Sequence, residues 1–222
     1  MKILITAATK SELSALKQQL NCVGNSAIVN HNSIYLAVTD VGITATAYNL
    51  TKQLQTNTYD LVLNTGIAGS FSEQINVGET VVVEREVFAD WGIDMPEGFL
   101  TVFDENIVPR GILPFNSVGE LYCRHIAPYP FLRRFRIVKG ATVNAGSSEA
   151  LRIGKLKAKF APDIESMEGA AFFYVCLMEN IPFIEMRCIS NIVEKRDKSQ
   201  WNIPLAINNL SDSVSFFLAS LQ

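Results

Sequence analysis

The chain has 222 residues, of which 48% are hydrophobic and 18% charged, enough apolar material for a sizeable core. A net charge of −3, without a long basic run, argues against nucleic acid as a partner. Four widely spaced cysteines and two histidines form no metal-binding pattern, and Cys176 and Cys188 are expected to be buried free thiols. Neither a signal peptide nor a membrane span is apparent. The composition predicts a reduced, soluble, cytoplasmic protein without a membrane partner.

The first third of the chain alternates between strand and helix patterns. Residues 3–7 read as a buried strand, and Ser11 is the expected N-cap of a helix from Glu12 to about Leu20. Segments 27–29 and 33–38 predict a hairpin, and an Ala/Thr-rich helix follows to about residue 54. Residues 59–64 form another buried strand, which is expected to end in a glycine loop over 65–70.

The rest of the chain continues the alternation after one irregular stretch. A β-branched strand is predicted over 80–88, whereas 89–130 lacks periodicity and is expected to be a long functional loop or a set of short pieces. Strands follow at 135–139 and 141–143, and Ser147 or Ser148 is the expected cap of the next helix. A helix over 168–180, a strand over 183–190 and a polar loop over 191–197 come next. The last helix, 203–221, is expected to bury Leu205, Ile207, Leu210, Val214, Phe217 and Leu221.

This pattern predicts a single domain over residues 1–222, an α/β/α sandwich with a mixed central sheet. Ligands of such sheets bind at the carboxyl ends of the strands. Those ends carry residues 9–12, 65–70, 166–169 and 190–191, so we expect the functional site there. Glu168 stands at a strand-to-helix junction, where the positive end of the helix favours an ionised carboxylate. Such a carboxylate offers only acceptors, which suits a pair of sugar hydroxyls.

Four stretches carry a family resemblance: the first strand followed by Glu12, then Asn-Thr-Gly-Ile-Ala-Gly at 64–69, Glu-Ser-Met-Glu-Gly-Ala-Ala at 165–171 and Arg-Cys-Ile-Ser-Asn at 187–191. They resemble the nucleoside phosphorylase and nucleosidase superfamily, on its methylthioadenosine/S-adenosylhomocysteine nucleosidase branch. The similarity covers nearly the whole chain. Asparagine at 191 and the polar run 194–201 look most like the futalosine hydrolases of the alternative menaquinone pathway. The resemblance implies a three-layer fold, a homodimer or higher homo-oligomer, a small purine nucleoside as substrate, and no cofactor.

Hydrolysis of a purine N-glycosidic bond builds positive charge on the ribose and negative charge on the base. Glu12 matches the family's water-activating glutamate, although a first-turn glutamate is also explained by the helix dipole. Glu168 matches the residue that binds the ribose 2′ and 3′ hydroxyls, against the alternative of helix capping. Met167 matches a residue on the ribose face, or else fills the core.

Other matched positions surround the same site. Arg187 matches an arginine near the water and the two glutamates, or else forms an ion pair with Glu185 or Asp197. The resemblance also assigns Gly66, Ile67, Ala68 and Ser190 to substrate binding. Gly66 and Gly69 are expected to let the backbone approach the sugar. Isoleucine at 67 departs from the serine or threonine that the family often has there.

Asn191 is the position that bears on the choice of base. Where the family acts on adenine, an aspartate here accepts from the 6-amino group and protonates N7. Asparagine cannot protonate N7, but its NH2 can donate to a 6-oxo group while its carbonyl accepts from a protonated N7. Asn191 therefore favours a 6-oxopurine, most simply hypoxanthine, unless it only caps a turn in an inactive protein.

The residues that bind the group at the substrate's 5′ position are the hardest to predict from the sequence. The carboxyphenyl group of futalosine would require an apolar slot, which the aromatic region 88–135 could supply, and a cation, for which Arg110, Arg136 and Arg196 are candidates. By resemblance, Asp90, Trp91 and Asp94 are expected near the mouth of the site. The alternatives to a futalosine-cleaving enzyme are a methylthioadenosine nucleosidase, a 6-oxopurine nucleoside phosphorylase and a non-catalytic nucleoside-binding protein.

Overall fold

The computed structural model describes residues 1–194 and 201–221, in which strands and helices alternate along the chain. The strands are β1 (Lys2–Ala7), β2 (Ser26–Val29), β3 (Asn32–Val38), β4 (Leu61–Ser70), β5 (Thr80–Phe88), β6 (Gly92–Met95), β7 (Gly98–Thr101), β8 (Leu121–Tyr122), β9 (Arg136–Thr142), β10 (Ile164–Ser166) and β11 (Phe183–Ile192). The α-helices are α1 (Lys10–Gln19), α2 (Ile43–Thr56), α3 (Ala150–Phe160), α4 (Gly169–Met178) and α5 (Ile203–Ser220). A short 3-10 helix covers Pro130–Arg134.

The main sheet has the order β10-β9-β5-β11-β4-β1-β3-β2, and β8 adds to β5. Its pairings are mixed: β4 is parallel to β1 and β11, whereas β5 is antiparallel to β11. A further antiparallel pairing joins β10 to β4, so that β4, β11, β5, β9 and β10 form a closed ring of strands. This closure places Glu165 opposite Gly69 and brings the start of α4 to the carboxyl end of β4.

Helices cover both faces of this sheet and complete the three layers. Core residues of α2 and α4, such as Leu50 and Phe172, belong to one buried cluster, and those of α1 and α5, such as Leu16 and Leu210, belong to another. The predicted α/β/α sandwich with a mixed sheet is therefore confirmed. None of the helices among the described residues has both the length and the apolar character needed to cross a membrane.

Two predicted helix caps are wrong. The N-cap of α1 is Thr9 and not Ser11, because Thr9 and Glu12 form a capping box in which each side chain bonds the other's backbone N–H. The N-cap of α3 is Glu149, without a side-chain cap bond. Ser147, one of the two candidates for that cap, instead donates its backbone N–H to Glu165 Oε1 at 2.8 Å.

The two predicted loops at the strand ends are also wrong within the described residues. Residues 65–70 continue β4, because they pair with β11 as far as Ser70. Asn191 likewise belongs to β11, just after a shift of register between Ile189 and Asn191. Pairing of β4 with β11 keeps these polar and glycine-rich segments extended, which periodicity alone does not reveal. Residues 195–197 of the predicted polar loop lie outside the described part of the chain.

Two further expectations concern apolar residues. The last helix buries Leu210, Val214, Phe217 and Leu221 as predicted, but Leu205 is 38% exposed and Ile207 is half-buried. Leu205 lies in the first turn of α5, beside Gly78, beyond the part of the helix that packs on the sheet. The irregular stretch after β5 forms the hairpin of β6 and β7, the short β8 and turns. Its rings Trp91, Phe103 and Phe115 pack with Phe88 of β5 and Tyr174 of α4 in one aromatic cluster.

The capping box gives a test of where α1 begins. Thr9→Ala should lower the free energy of unfolding by about 1 kcal/mol, because the orphan N–H of Glu12 loses its acceptor. Ser11→Ala is the matched control, and it should change stability by less than about 0.5 kcal/mol. Urea unfolding of both variants measures the difference. An equal loss in the two variants would contradict the assignment of Thr9 as the cap.

Candidate active site

A cavity of about 690 Å³ opens at the carboxyl ends of the strands. All four predicted strand ends contribute to its lining, through Thr9, Ser11, Glu12, Ile67, Ala68, Gly69, Ser166, Met167, Glu168, Ser190 and Asn191. The sequence motifs that lie far apart in the chain therefore meet in one place. Arg187 and Gly66 lie behind this lining, where Arg187 contacts Glu168 and Gly66 lies next to Glu12.

Glu12 is held in the first turn of α1 with its carboxylate facing the cavity. Its Oε2 accepts hydrogen bonds from the backbone N–H of Thr9 at 2.9 Å and from the Thr9 hydroxyl at 2.8 Å. Its Oε1 accepts from the backbone N–H of Ile67 at 3.1 Å. These three donors fix an acidic side chain that is more than nine-tenths buried, and Oε1, which accepts only one of the bonds, keeps a lone pair for another partner.

Glu168 is the N-cap residue of α4, but its side chain makes no capping bond, so capping does not explain it. Its Oε1 accepts from the backbone N–H of Gly42 at 3.1 Å, and its Oε2 accepts from Arg187 Nη1 at 3.3 Å. A residue from the turn before α2 and a residue from β11 therefore orient this carboxylate at the cavity wall.

Arg187 is the buried cation beneath the two glutamates. Its side chain is 1% exposed, and its Nε donates to Glu185 Oε1 at 2.6 Å. The predicted ion pair with Glu185 is thus present, and Asp197, the alternative partner, lies outside the described residues. Burial by itself would lower the pKa of Arg187, but the charges of Glu185 and Glu168 outweigh burial and raise it. The guanidinium is therefore a permanent positive charge.

The two glycines of β4 make room for neighbouring side chains, and their expected role beside the sugar stays a prediction. A Cβ on Gly66 would overlap the Arg187 guanidinium and would lie 3.0 Å from Glu12 Oε1. A Cβ on Gly69 would lie 2.7 Å from Val193 Cγ2 and 3.2 Å from Asn191 Nδ2. Each missing side chain lets a functional side chain of a neighbouring element approach the strand.

Asn191 and Ser190 form the polar end of the cavity on β11. Asn191 Oδ1 accepts from the Ser190 hydroxyl at 2.8 Å, and its Nδ2 donates to the carbonyl of Ile192 at 3.0 Å. One amide hydrogen and one lone pair of the carbonyl remain for a ligand. The Ser190 hydroxyl also lies 3.3 Å from the carbonyl of Ala68, which ties this end to β4.

The remaining wall is largely apolar. Met167, half-buried next to Glu168, and Ile67 and Ala68 of β4 face the cavity. Further apolar lining comes from the turn before α2 and from α5 and the residues around it, namely Val41, Val193, Trp201, Ile203 and Ile207. A polar ligand end and an apolar ligand end can therefore be held at once.

The residues expected near the mouth or the 5′ group do not line this cavity in the described chain. Asp90 accepts hydrogen bonds from Asn144, and Asp94 pairs with Lys155. Trp91 packs in the aromatic cluster. Two of the candidate cations are engaged elsewhere, since Arg110 pairs with Asp104 and Arg136 with Glu79, while Arg196 lies outside the described residues. The proposed aromatic slot from 88–135 is absent from the lining of this cavity in the part of the chain that the structure describes.

Several side chains of the site were not predicted. Thr9 could have been found, because Thr9 and Glu12 have the spacing of a capping box. Glu165 lines the cavity, and burial raises the pKa of its carboxyl group despite the bonds from Ser147. Glu86 is fully buried, and nothing in its strand pattern marks it as interior. Cys123, Cys176 and Cys188 are buried free thiols, as predicted for the latter two.

Comparison with known proteins places the chain in a family. The profile of the phosphorylase superfamily matches residues 2–219, so the chain belongs to this superfamily. A futalosine hydrolase of Streptomyces coelicolor is 33% identical over 70% of this chain, and the match spans 64% of that relative's length. A futalosine hydrolase of Thermus thermophilus is 30% identical over 84% of this chain and 81% of its own. A 5′-methylthioadenosine/S-adenosylhomocysteine nucleosidase of Anoxybacillus flavithermus is 26% identical over 88% of this chain and 87% of its own.

Solved structures agree on the fold. A futalosine hydrolase mutant of Helicobacter pylori superposes with a TM-score of 0.84 at 16% identity, covering 100% of both chains. The 5′-methylthioadenosine/S-adenosylhomocysteine nucleosidase of the same organism gives 0.82 at 16% identity, covering 100% of this chain and 99% of its own. The predicted superfamily is confirmed, and the predicted class of N-glycosyl hydrolase agrees with the names of all these relatives.

Gly66 gives a test of this crowded geometry. Gly66→Ala should lower the free energy of unfolding by about 1 to 3 kcal/mol, because its methyl group must displace buried charged groups. Gly154→Ala in α3 is the matched control, since its Cβ meets nothing within 4 Å. That control should gain about 0.5 to 1 kcal/mol from helix propensity. If chemical unfolding gave Gly66→Ala the same change in the free energy of unfolding as Gly154→Ala, the close contact of Arg187 with β4 would be contradicted.

Proposed function

We propose that the protein is a nucleosidase that uses water to split the N-glycosidic bond of futalosine, releasing hypoxanthine and dehypoxanthinylfutalosine in menaquinone biosynthesis. The observation that carries the proposal is the position of Asn191, a residue that cannot donate a proton to N7, in the cavity that also holds Glu12 and Glu168. Two relatives at 30% identity or more bear the name futalosine hydrolase, which supports the same substrate.

Glu12 is the proposed base that activates water. A carboxylate held by Thr9 and Ile67 has a lone pair left on Oε1 to accept from a water molecule and then to take its proton. A phosphate nucleophile would be repelled by this negative charge, which favours hydrolysis over phosphorolysis.

Glu168 is the proposed partner of the ribose. Its acceptors suit the two vicinal hydroxyls, and its negative charge favours the cationic sugar of the transition state. Arg187 is proposed to hold this carboxylate in place through the contact at 3.3 Å. Met167 beside it is proposed to pack on the sugar, and Ile67 and Ala68 to form the floor of this part of the site, with Gly66 behind them.

Asn191 is proposed to read the base, with Ser190 fixing its amide through the hydroxyl bond at 2.8 Å. Its free amide hydrogen is offered to the 6-oxo group. Its free lone pair accepts from N7–H once N7 of the departing base has taken a proton from solvent, since Asn191 cannot supply one. An adenine would direct its 6-amino donor at that NH2 group, which leaves buried polar groups unpaired and disfavours the 6-amino substrate.

A 5′-methylthioadenosine/S-adenosylhomocysteine nucleosidase is the second candidate, because relatives of that name cover nearly the whole chain. Asn191 argues against it, for the reason just given. A 6-oxopurine phosphorylase would need phosphate for turnover, and a binding protein would be stabilised by nucleosides without cleaving them. We also propose that the protein is a single domain, that it is cytoplasmic and that it assembles as a homo-oligomer.

A chromatographic assay in phosphate-free buffer tests the function. The protein is offered futalosine, inosine and methylthioadenosine separately, and the free base is measured. Hypoxanthine from futalosine, with methylthioadenosine untouched, is the expected result. Adenine from methylthioadenosine would overturn the substrate assignment, and release that requires added phosphate would overturn the hydrolytic one. If nucleosides stabilise the protein but no free purine base is released, the non-catalytic nucleoside-binding protein would be favoured.

Substitution of the two glutamates should separate their roles. Glu12→Gln should lower kcat by about 100-fold or more with little change in substrate affinity, because only water activation is lost. Glu168→Gln should weaken both binding and turnover, since the hydroxyl contacts and the stabilisation of charge are lost together. The exposed Glu97→Gln is the control and should behave like the wild type. Unchanged turnover in Glu12→Gln would show that Glu12 does not activate water.

Exchange of the base-reading residue should alter specificity. Asn191→Asp should gain cleavage of methylthioadenosine and lose cleavage of futalosine, because a carboxyl group can accept from a 6-amino group and protonate N7. Measurement of kcat/KM for both substrates in both proteins checks this. A variant that keeps the wild-type preference would show that Asn191 does not select the base.

A further inference from the structure

Two glutamates, Glu86 of β5 and Glu185 of β11, form a fully buried pair beneath the site, each with an exposure of 0%. Both carboxyl groups reach the first residue of α4. A Cβ on Gly169 would overlap the Glu86 carboxyl group and would lie 3.0 Å from Glu185 Oε1. The two acids therefore share one small space, which is closed to solvent.

One oxygen of each acid is left without a partner in the described structure. Glu86 Oε2 accepts from the Thr142 hydroxyl at 2.8 Å, whereas Glu86 Oε1 has no hydrogen-bond partner. Glu185 Oε1 accepts from Arg187 Nε at 2.6 Å and from Asn64 Nδ2 at 3.4 Å, whereas Glu185 Oε2 has none. Two ionised acids offer only acceptors and cannot satisfy each other. A single proton placed between them converts one orphan oxygen into a donor and satisfies both.

We propose that Glu86 is kept protonated and donates its hydrogen to Glu185 Oε2, and that this bond fixes the ionised Glu185 as the positioning residue of Arg187. The proposal depends on the proposed function only where turnover is concerned. The proton, the two acids and the orientation of the guanidinium are properties of the folded protein.

The charge balance around Arg187 supports one proton. Glu185, Glu168 and Glu12 all act on the guanidinium electrostatically, so an ionised Glu86 would add another negative charge to this group at a position that solvent does not reach. Besides Arg187, Glu185 interacts with Glu168, whose charge raises the pKa of Glu185, and with the thiols of Cys123, whose pKa burial raises to about 12, and Cys176, whose pKa is also raised by burial. Both thiols are neutral and supply no compensating charge.

The asymmetry of the pair assigns the proton to Glu86. Burial raises the pKa of both carboxyl groups, but Arg187 opposes this effect most directly at Glu185, through its charge and its hydrogen bond. Glu86 has a neutral hydroxyl as its partner, and the repulsion from Glu185 raises the pKa of Glu86 further. The Thr142 hydroxyl is oriented to donate, because its oxygen accepts from the backbone N–H of Ala170 at 2.7 Å. The proton therefore rests on Glu86 and not on Glu185.

The consequence for the site is that Arg187 is clamped at Nε by one carboxylate while Nη1 remains directed at Glu168. If Glu86 lost its proton, repulsion would separate Glu185 from its neighbour and shift the guanidinium with it. Turnover should therefore decline at alkaline pH as Glu86 ionises, through a residue that does not line the cavity.

Infrared spectroscopy of the folded protein tests the proton directly. The wild type at neutral pH should show the carbonyl stretch of a neutral carboxylic acid, and the intensity assigned to one such group should be lost in Glu86→Gln. Glu84→Gln is the matched control, because Glu84 lies on the same strand but its side chain is 33% exposed. If the band is lost in Glu185→Gln but not in Glu86→Gln, the proton rests on Glu185 and the proposal is wrong. An unchanged band in Glu86→Gln would also overturn the proposal.

Thermal unfolding as a function of pH gives a second readout that requires no substrate. Because the pKa of Glu86 is raised on folding, its contribution to stability is fully present below the unfolded pKa and is lost as the pH rises through the folded pKa. The amide of Gln cannot titrate, so the Tm of Glu86→Gln should fall less than that of the wild type between acidic and alkaline pH. If the Tm of the wild type and that of Glu86→Gln changed in parallel with pH, the titration of Glu86 would be contradicted.

The pH profile of turnover links the proton to Arg187. Relative to its own neutral plateau, Glu86→Gln should lose the alkaline decline of kcat, because its NH2 group donates to Glu185 at every pH. Glu185→Gln should lower kcat at all pH values by about tenfold or more, since the anion that holds Arg187 is gone. An alkaline decline that persists in Glu86→Gln would overturn the link. If the infrared band and the Tm curves agree but no nucleoside is cleaved, the proposed function fails and the proton assignment stands.

Discussion

The buried guanidinium of Arg187 is the interaction on which the arrangement of the site depends. Its Nε and Nη1 contact carboxylates of two different elements, Glu185 within β11 and Glu168 at the start of α4. A charge that is 1% exposed is tolerated only when it is paired, so these contacts are required for stability as well as for geometry. Gly66 makes the arrangement possible, because any side chain at that position would occupy the space of the guanidinium.

The opposite end of the cavity depends on a neutral group. Asn191 follows the shift of register in β11, and Gly69 on the neighbouring strand leaves room for its amide. The catalytic end of the proposed site is therefore crowded with acids around one arginine, while the base-reading end carries an amide fixed by a serine. This separation suits a reaction in which positive charge builds on the sugar and negative charge builds on the departing base. A shared strand, β4, fixes the distance between the two ends.

The sequence was sufficient for the order of strands and helices and for the four strand ends, because motifs at the carboxyl ends of neighbouring strands must meet at one edge of the sheet. It was not sufficient for the extent of β4 and β11, whose polar ends are held by pairing and not by local propensity. It also could not predict that the side chain of Glu86 is buried. The pairing of β5 with β9 shifts register between Val83 and Arg85, and such an irregularity changes which side chains face the interior. Thr9 was within reach of sequence reasoning, whereas the contact of Glu168 with Gly42 required the fold.

The central claim is that the protein hydrolyses a 6-oxopurine nucleoside because Asn191 offers a donor to the oxo group. The most direct test compares kcat/KM of the wild-type protein for futalosine and for its 6-amino counterpart, two substrates that differ in one substituent. The account predicts a preference for futalosine of about 100-fold or more, since the amino compound leaves buried polar groups unpaired. Equal values, or a preference for the 6-amino compound, would contradict the assignment of base and substrate together.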